Sequence, residues 1–306
     1  MATFLLRRLL LAVFVLLAVS SVTFFALRLN GDPITESLQA SGASAAEISA
    51  IRHEMGYDRP IAMQYADFLA HLARGDFGDS LRYGQPAVQL IGERLGYTLE
   101  LAGVALLLTL VVAIPLGILS AVRHGTVVDR LTIVLAAVGQ AVPNFVVGPL
   151  LILLFGVVLG WLPVSGAEEP TALILPAVTL ALYPLARVAR LLRVSMIDVA
   201  GNDYVTTARA KGVAEWAVVV RHVFRNALLP VLTIVGLQIV AMLGGAVVVE
   251  TVFGWPGLGT LAKDALLTSD FPLVQAIVVL IAAGVVVVNL ATDIVYSVAD
   301  PRIRRR

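Results

Sequence analysis

The chain has 306 residues, of which 59% are hydrophobic and 14% charged, with a mean hydropathy of +0.92. Soluble domains carry roughly 25% charged residues, so much of this apolar surface has to find lipid as its solvent. A net charge of +1 offers no electrostatic footprint for nucleic acid. The absence of cysteine excludes disulfides, thiolate metal sites and cysteine nucleophiles.

A bilayer core takes about 20 helical residues. Six apolar runs meet that length, at residues 9–29, 97–122, 131–159, 173–192, 227–249 and 273–298. The first follows Arg7 and Arg8, as a secretory signal would. It is longer than the roughly 7–15 apolar residues of a signal. It also ends in Phe24-Phe25-Ala26-Leu27-Arg28 without a small-residue cleavage site, so it reads as an uncleaved anchor.

The segment 30–96 is mixed in charge, with Asp32, Glu36, Glu47, Glu54, Asp58, Asp67, Asp76 and Asp79 among its acids. Its patterning predicts short amphipathic helices over 45–53 and 61–72, parted by the turn signal Gly56-Tyr57-Asp58-Arg59-Pro60. It reads either as a cap that docks a soluble partner or as a solvated cover over the bundle.

Basic residues in the short loops set orientation. Arg7, Arg8, Arg123, Arg130, Arg187, Arg190, Arg193, Arg209, Lys211, Arg221, Arg225, Arg302, Arg304, Arg305 and Arg306 fall on one side of the six spans. The short loops of the other side carry Lys263 alone. Both termini are therefore expected in the cytoplasm, with 30–96 outside.

Pro115, Pro143, Pro149, Pro176, Pro184 and Pro230 lie inside or beside the later runs, where each permits a kink. Polar residues at membrane depth are candidates for a translocation pathway. Gln140 and Asn144, on either side of Pro143, and Gln238 in the fifth run meet that description. The alternative for each is a helix–helix hydrogen bond, worth about 0.6 kcal/mol. Glu250, placed at the head of the loop after the fifth run, and Trp255 in the turn that follows suggest an outer gate or a receptor contact.

The stretch 187–226 is too long for a plain helix connection, which takes roughly 2–8 residues. Arg187, Arg190 and Arg193 recur at i, i+3 and i+6 and read as membrane anchoring. Next comes Gly201-Asn202-Asp203-Tyr204-Val205-Thr206-Thr207-Ala208-Arg209-Ala210-Lys211-Gly212. Asn202 or Asp203 can cap a helix and Gly212 can take its left-handed stop. The helix between them is about 12 Å long, too short to stand alone. A second helix is expected over 214–226.

ATP chemistry is not expected in this chain, because a phosphate loop ends in Gly-Lys-Ser/Thr and both Lys211 and Lys263 follow alanine. His53, His71, His124 and His222 show no metal-ligand spacing. No nucleophile elbow or carboxylate pair marks a catalytic site. Against a self-sufficient secondary transporter or channel, the halves show no internal repeat of the kind those folds carry.

The sequence resembles the dipeptide, oligopeptide and nickel permeases of ATP-binding-cassette importers, with a divergent form of their "EAA" loop. The resemblance rests on Asp203-Tyr204, Ala208-Arg209-Ala210-Lys211-Gly212, Arg221-His222 and Arg225-Asn226-Ala227-Leu228-Leu229-Pro230. It continues through Val249-Glu250-Thr251-Val252-Phe253-Gly254-Trp255-Pro256-Gly257-Leu258-Gly259 to Asp293, Tyr296 and Asp300-Pro301-Arg302. Matched on Gly212, the glutamate and first alanine of the signature are Thr206 and Thr207 here.

The resemblance implies an all-α membrane protein with six transmembrane helices and the type I ABC importer permease (MetI-like) fold, in the bacterial inner membrane. It divides the chain into an N-terminal transmembrane helix (1–29), an extracytoplasmic segment (30–96) and a five-helix permease core (97–298). The core holds a coupling loop at about 187–226, and a basic tail (299–306) follows. The helix with Asp203, Tyr204, Ala208, Arg209, Ala210, Lys211 and Gly212 would couple the chain to an ATPase, with Ala208, Ala210 and Gly212 as its small-residue docking face. Implied partners are a second homologous permease, two ATPase subunits holding ATP and Mg, an extracytoplasmic solute-binding protein and membrane lipid. The implied cargo is a peptide, or a peptide-like or metal-chelate solute.

Overall fold

The structure, a computed structural model, describes residues 2–29, 35, 43–54 and 56–299, with the side chains of 2–6, 54 and 295–299 left aside. Asp32, Glu36, Asp300-Pro301-Arg302 and the basic tail from residue 300 onward lie outside the described residues, as does the side chain of Tyr296. Apart from one antiparallel bridge, Asp79 to Pro86, the regular structure among the described residues is helical.

The elements in chain order are α1 (Ala2–Leu29), α2 (Ala45–Glu54), α3 (Ile61–Ala73), α4 (Ala87–Val122), α5 (Val127–Ala141) and α6 (Asn144–Leu151), which runs on as a π-helix over Ile152–Val158. After a 3-10 turn at Pro170–Leu173 come α7 (Ile174–Ala200), α8 (Asp203–Ala210) and α9 (Glu215–Ala217). A π-helix over Val218–Phe224 leads into α10 (Arg225–Phe253), then α11 (Leu258–Leu267) and α12 (Phe271–Ala299).

Among the described residues, five helical stretches are long and apolar enough to cross a bilayer: Arg7–Leu29, Ala87–Val122, Pro170–Ala200, Glu215–Phe253 and Phe271–Ile294. The run expected as a single span over 131–159 is instead two helices, α5 and α6 with its π extension, bent by 104°. There are six spans if that pair is one. The break falls at Val142, which is extended (φ −94, ψ 119) because the ring of Pro143 disfavours the helical region for the residue before it. Pro115, Pro149, Pro184 and Pro230 are carried within their helices. A second difference concerns 214–226. The helix expected there and the fifth span are one uninterrupted helical stretch from Glu215 to Phe253.

The chain forms two compact units, one of residues 1–97 with 256–286 and the other of 98–255 with 287–306. In the first, Phe24 at the end of α1 is fully buried and meets Phe25, Tyr65 and Phe68 at ring-centroid distances of 5.2, 5.2 and 5.3 Å. Edge-on and tilted geometries of this kind suit the ring quadrupole. The Arg28 guanidinium lies 3.5 Å from the Phe24 ring centroid, while its Nε donates to Gln64. Asp270, also fully buried, accepts from the Ser80 hydroxyl and from the backbone N–H groups of Leu81, Arg82 and Leu273. It thereby caps the start of α12 and pins the 80–82 turn to it.

In the second unit α7 is the central helix. In its span 61% of the most apolar window is buried, against 39% or less in the other four. Glycines let neighbours approach it, as small residues do between helices in lipid. A Cβ at Gly117 of α4 would lie 3.0 Å from the Ala189 carbonyl, and one at Gly139 of α5 would lie 3.2 Å from the Ala186 Cβ. Gly148 does the same for α6 against α10, where a Cβ would meet Val252 and Phe253 at 3.1 and 3.2 Å.

Candidate functional site

All the expected site residues fall in the second unit. The loop after α7 folds as the short helix α8, eight residues from Asp203 to Ala210. Gly212 has φ +77 and ends it in the left-handed region, where a Cβ is disfavoured. Its N–H bonds to the Arg209 carbonyl and the Val213 N–H to that of Ala208. Asn202 occupies the position before the helix but does not cap it. Its amide turns back to the Val199 carbonyl at 3.1 Å.

So short a helix needs packing, and Val205 and Ala208, one turn apart, supply it. Both are buried in an apolar cluster with Ala113, Val188, Leu192, Met196, Val218 and Val231. Ala208 therefore belongs to the inward face, which corrects its expected place on a small-residue docking face. Asp203, Tyr204, Thr206, Thr207, Arg209, Ala210, Lys211 and Gly212 face outward.

Tyr204 is tied to the π-helix that follows. Its hydroxyl donates to the His222 carbonyl (3.4 Å) and accepts from Asn226 Nδ2 (3.2 Å). Arg209 is held by Glu215, Nη2 to Oε1 at 2.9 Å, which raises its pKa above the ordinary guanidinium value through hydrogen bonding and charge. Trp216, 68% exposed beside this loop, was not singled out from sequence. A lone aromatic at a helix start carries no pattern of its own.

A buried ion pair that was not evident from the sequence joins α5 to α7. Asp129, with 3% of its side chain exposed, accepts from Arg193 Nε (2.5 Å) and Nη2 (2.8 Å), from the Ser120 hydroxyl (2.6 Å) and from the Gly125 N–H (2.9 Å). His124 Nδ1 stands 3.1 Å from the carboxylate and 3.0 Å from Arg193 Nη2. Arg193 shares the helical spacing of Arg187 and Arg190 that reads as membrane anchoring, but its side chain turns inward to Asp129. The available signal was Asp129 itself, the sole acid between residues 101 and 167.

The break between α5 and α6 opens onto a cavity of about 330 Å³. Gln140, Asn144 and Gln238, from α5, α6 and α10, all line it, together with Pro143, Tyr183 and Met242. Gln238 is 1% exposed, and its Oε1 has no hydrogen-bond partner. Gln140 Nε2 bonds back to the Ala136 carbonyl of its own helix at 3.1 Å. None of the lining residues is ionisable in the neutral range.

Glu250 was expected to head the loop after the fifth run. It sits inside α10, fully buried, and accepts from the Thr98 hydroxyl at 2.7 Å. Its own carbonyl accepts from Trp255 N–H (2.9 Å) as Gly254 takes the left-handed helix stop at φ +60. Trp255 is 3% exposed. Neither side chain presents a surface that a receptor could touch in this conformation.

Comparison with known proteins brings a family into view. Residues 113–305 match the description "binding-protein-dependent transport system inner membrane component", and residues 1–102 match its N-terminal counterpart. A probable peptide ABC transporter permease of Sinorhizobium fredii is 38% identical over 315 residues, covering 99% of this chain and 100% of the relative. An oligopeptide transport system permease of Bacillus subtilis is 40% identical, with 99% of each chain covered. A glutathione transport system permease of Salmonella typhimurium is 39% identical, again with 99% of each covered.

Among solved structures, an inward-facing form of the MetNI methionine ABC transporter aligns with a TM-score of 0.56 at 17% identity, over 70% of this chain and 97% of that one. An amino acid ABC transporter aligns with a TM-score of 0.51 at 20% identity, over 70% and 94%. These two likenesses bear on the fold alone.

Proposed function

The chain belongs to the binding-protein-dependent transport system inner-membrane components, and from that premise we propose how it works. It is a translocation subunit of an ABC importer in the inner membrane, with the helical permease fold of that class. ATPase and solute-binding partners follow from the family. With membership established, the self-sufficient transporter or channel falls away.

Beyond that, the cargo is a peptide or a peptide-like solute. The full-length likeness to permeases named for peptides, oligopeptides and glutathione supports this. The chain forms half of the pathway, a second homologous permease forms the rest, and two separate ATPase subunits hold ATP and Mg. The outward face of α8, with Thr206, Thr207, Ala210 and Lys211, and the neighbouring Trp216 form the surface that meets the ATPase. Trp is enriched where interfaces concentrate their binding energy. Both termini face the cytoplasm. Glu250 and Trp255 act as a buried brace at the far end of α10, where the outer gate would close.

The observation that carries the pathway reading is the convergence of Gln140, Asn144 and Gln238 on one cavity at a broken span. Irregular backbone at membrane depth is tolerated where it lines a cavity or is packed in protein. The test is to purify the tagged chain in mild detergent, identify what accompanies it and reconstitute the assembly for peptide uptake. An ATPase and a second permease that co-purify, with uptake that stops when ATP is removed, are expected. A chain that purifies alone and moves solute without ATP would overturn the reading.

A further inference from the structure

We infer that the cavity at the broken span is a subsite for the peptide bond itself, binding the backbone of a passing peptide and indifferent to the charge of its side chains. This deepens the pathway reading above and rests on it.

The argument begins with what the cavity must hold. The break at Val142-Pro143 starts a new helix at membrane depth, and the first N–H groups of a helix have no intrahelical acceptor. No side chain caps this one. The Pro143 carbonyl takes the N–H groups of Val146 and Val147, which leaves Asn144 and Phe145, both on the cavity wall, ahead of the ladder. Gln238 adds a buried carbonyl oxygen with no partner. Lipid cannot satisfy such groups, and a buried polar atom left unpaired is costly. The occupant must therefore offer both donors and acceptors.

The chemistry of the wall narrows the occupant further. Three carboxamides from three helices converge there, and each carries one acceptor oxygen and two N–H donors, one donor of Gln140 being spent on the Ala136 carbonyl. A peptide group carries one N–H and one C=O, so a carboxamide can meet both sides of it. No carboxylate, ammonium or guanidinium lines the cavity to neutralise a charged group, and an unpaired charge is strongly disfavoured in such a site. A passing peptide would place its backbone here and keep charged side chains elsewhere. The volume sits at the low end of the roughly 300–1,000 Å³ of ligand clefts, which suits a segment of a peptide rather than a whole one.

The test uses the reconstituted assembly with saturating loaded binding protein, and trialanine or the same tripeptide with a central lysine or glutamate. Uptake per ATP hydrolysed and the thermal midpoint are read for wild type, Gln238→Leu and Gln238→Glu. Gln238→Leu is expected to lower uptake of all three peptides alike by about 5-fold, the worth of one neutral hydrogen bond. Its midpoint should hold or rise, since an unpaired buried carbonyl is removed. Gln238→Glu should introduce a preference for the lysine peptide over the glutamate peptide that wild type lacks.

Unchanged uptake in Gln238→Leu, or a loss confined to one charge class, would overturn the inference. So would a fall in uptake that merely tracks a fall in midpoint. A wild-type assembly that hydrolyses ATP but takes up none of the three peptides would sink the peptide reading itself, a different failure from any of these.

Discussion

Asp129 is a carboxylate sealed from solvent and met by a guanidinium, a hydroxyl and a backbone N–H. Pairs of this kind are satisfied but not strongly stabilising, whereas removing one partner strands the other and costs about 3–5 kcal/mol. Arg193→Met should therefore lower the stability of the detergent-purified chain by that amount. The double variant Asp129→Leu with Arg193→Met should recover most of it, as a double-mutant cycle read by denaturant unfolding would show. Equal losses in the single and double variants would mean that the pair is incidental.

Gly212 poses a different question at the same scale. A Cβ there meets nothing within 4 Å, so a side chain meets no clash and only the φ of +77 resists it. The left-handed conformation costs an L-residue about 1–2 kcal/mol. Gly212→Arg should leave the chain folded but loosen the end of α8, and uptake per ATP hydrolysed should fall. Wild-type uptake per ATP in this variant would count against α8 as the coupling element.

At the scale of elements, α8 buries Val205 and Ala208 on one side, while its other side is exposed and is tied down through Tyr204 and Arg209. Ala208→Glu would drive a carboxylate into the cluster around Leu192 and Met196, and should lower the yield of folded chain. Ala210→Glu, two residues further on and exposed, should leave yield and thermal midpoint unchanged while weakening retention of the ATPase on a tagged-chain column. If both variants fold and both retain the ATPase, the outward face of α8 is not the docking surface. The π-helical stretch Val218–Phe224 begins just beyond this loop and leads into α10, and the Tyr204 hydroxyl bonds α8 to it. Wide helical turns of this sort are often found at functional positions.

At the scale of the whole molecule, the bent pair α5–α6 governs topology. Counted as one span it makes the number of crossings even and puts both termini on one side; counted as a re-entrant loop it puts them on opposite sides. The distribution of arginine favours the even count. A fluorescent protein that matures only in the cytoplasm, fused in turn to each terminus, is expected to light up in both fusions. Fluorescence from the N-terminal fusion alone would make the pair re-entrant and reverse the side assigned to the loop that carries α8, whereas fluorescence from the C-terminal fusion alone would make it re-entrant with that loop still cytoplasmic.

Composition and periodicity were enough to determine that the chain is a helical membrane protein, because twenty-residue apolar runs leave a chain no other way to satisfy its backbone in lipid. The short helix 203–210 and its glycine stop were legible too, since both follow from local residue preferences, and the polar trio Gln140, Asn144 and Gln238 stood out against apolar neighbours. What only the tertiary structure decided are the choices made between elements. Pro143 breaks its run while Pro115, Pro184 and Pro230 ride within theirs, and the ring chemistry is the same in all four. Arg193 turns inward while Arg187 and Arg190, three residues apart on the same helix, stay exposed, because Asp129 lies 64 positions away in sequence and beside it in space. Ala208 faces in and Ala210 out for a similar reason. The apolar cluster that claims one alanine and not the other is assembled from α4, α7 and α10, and no local pattern encodes which face of a two-turn helix it will take.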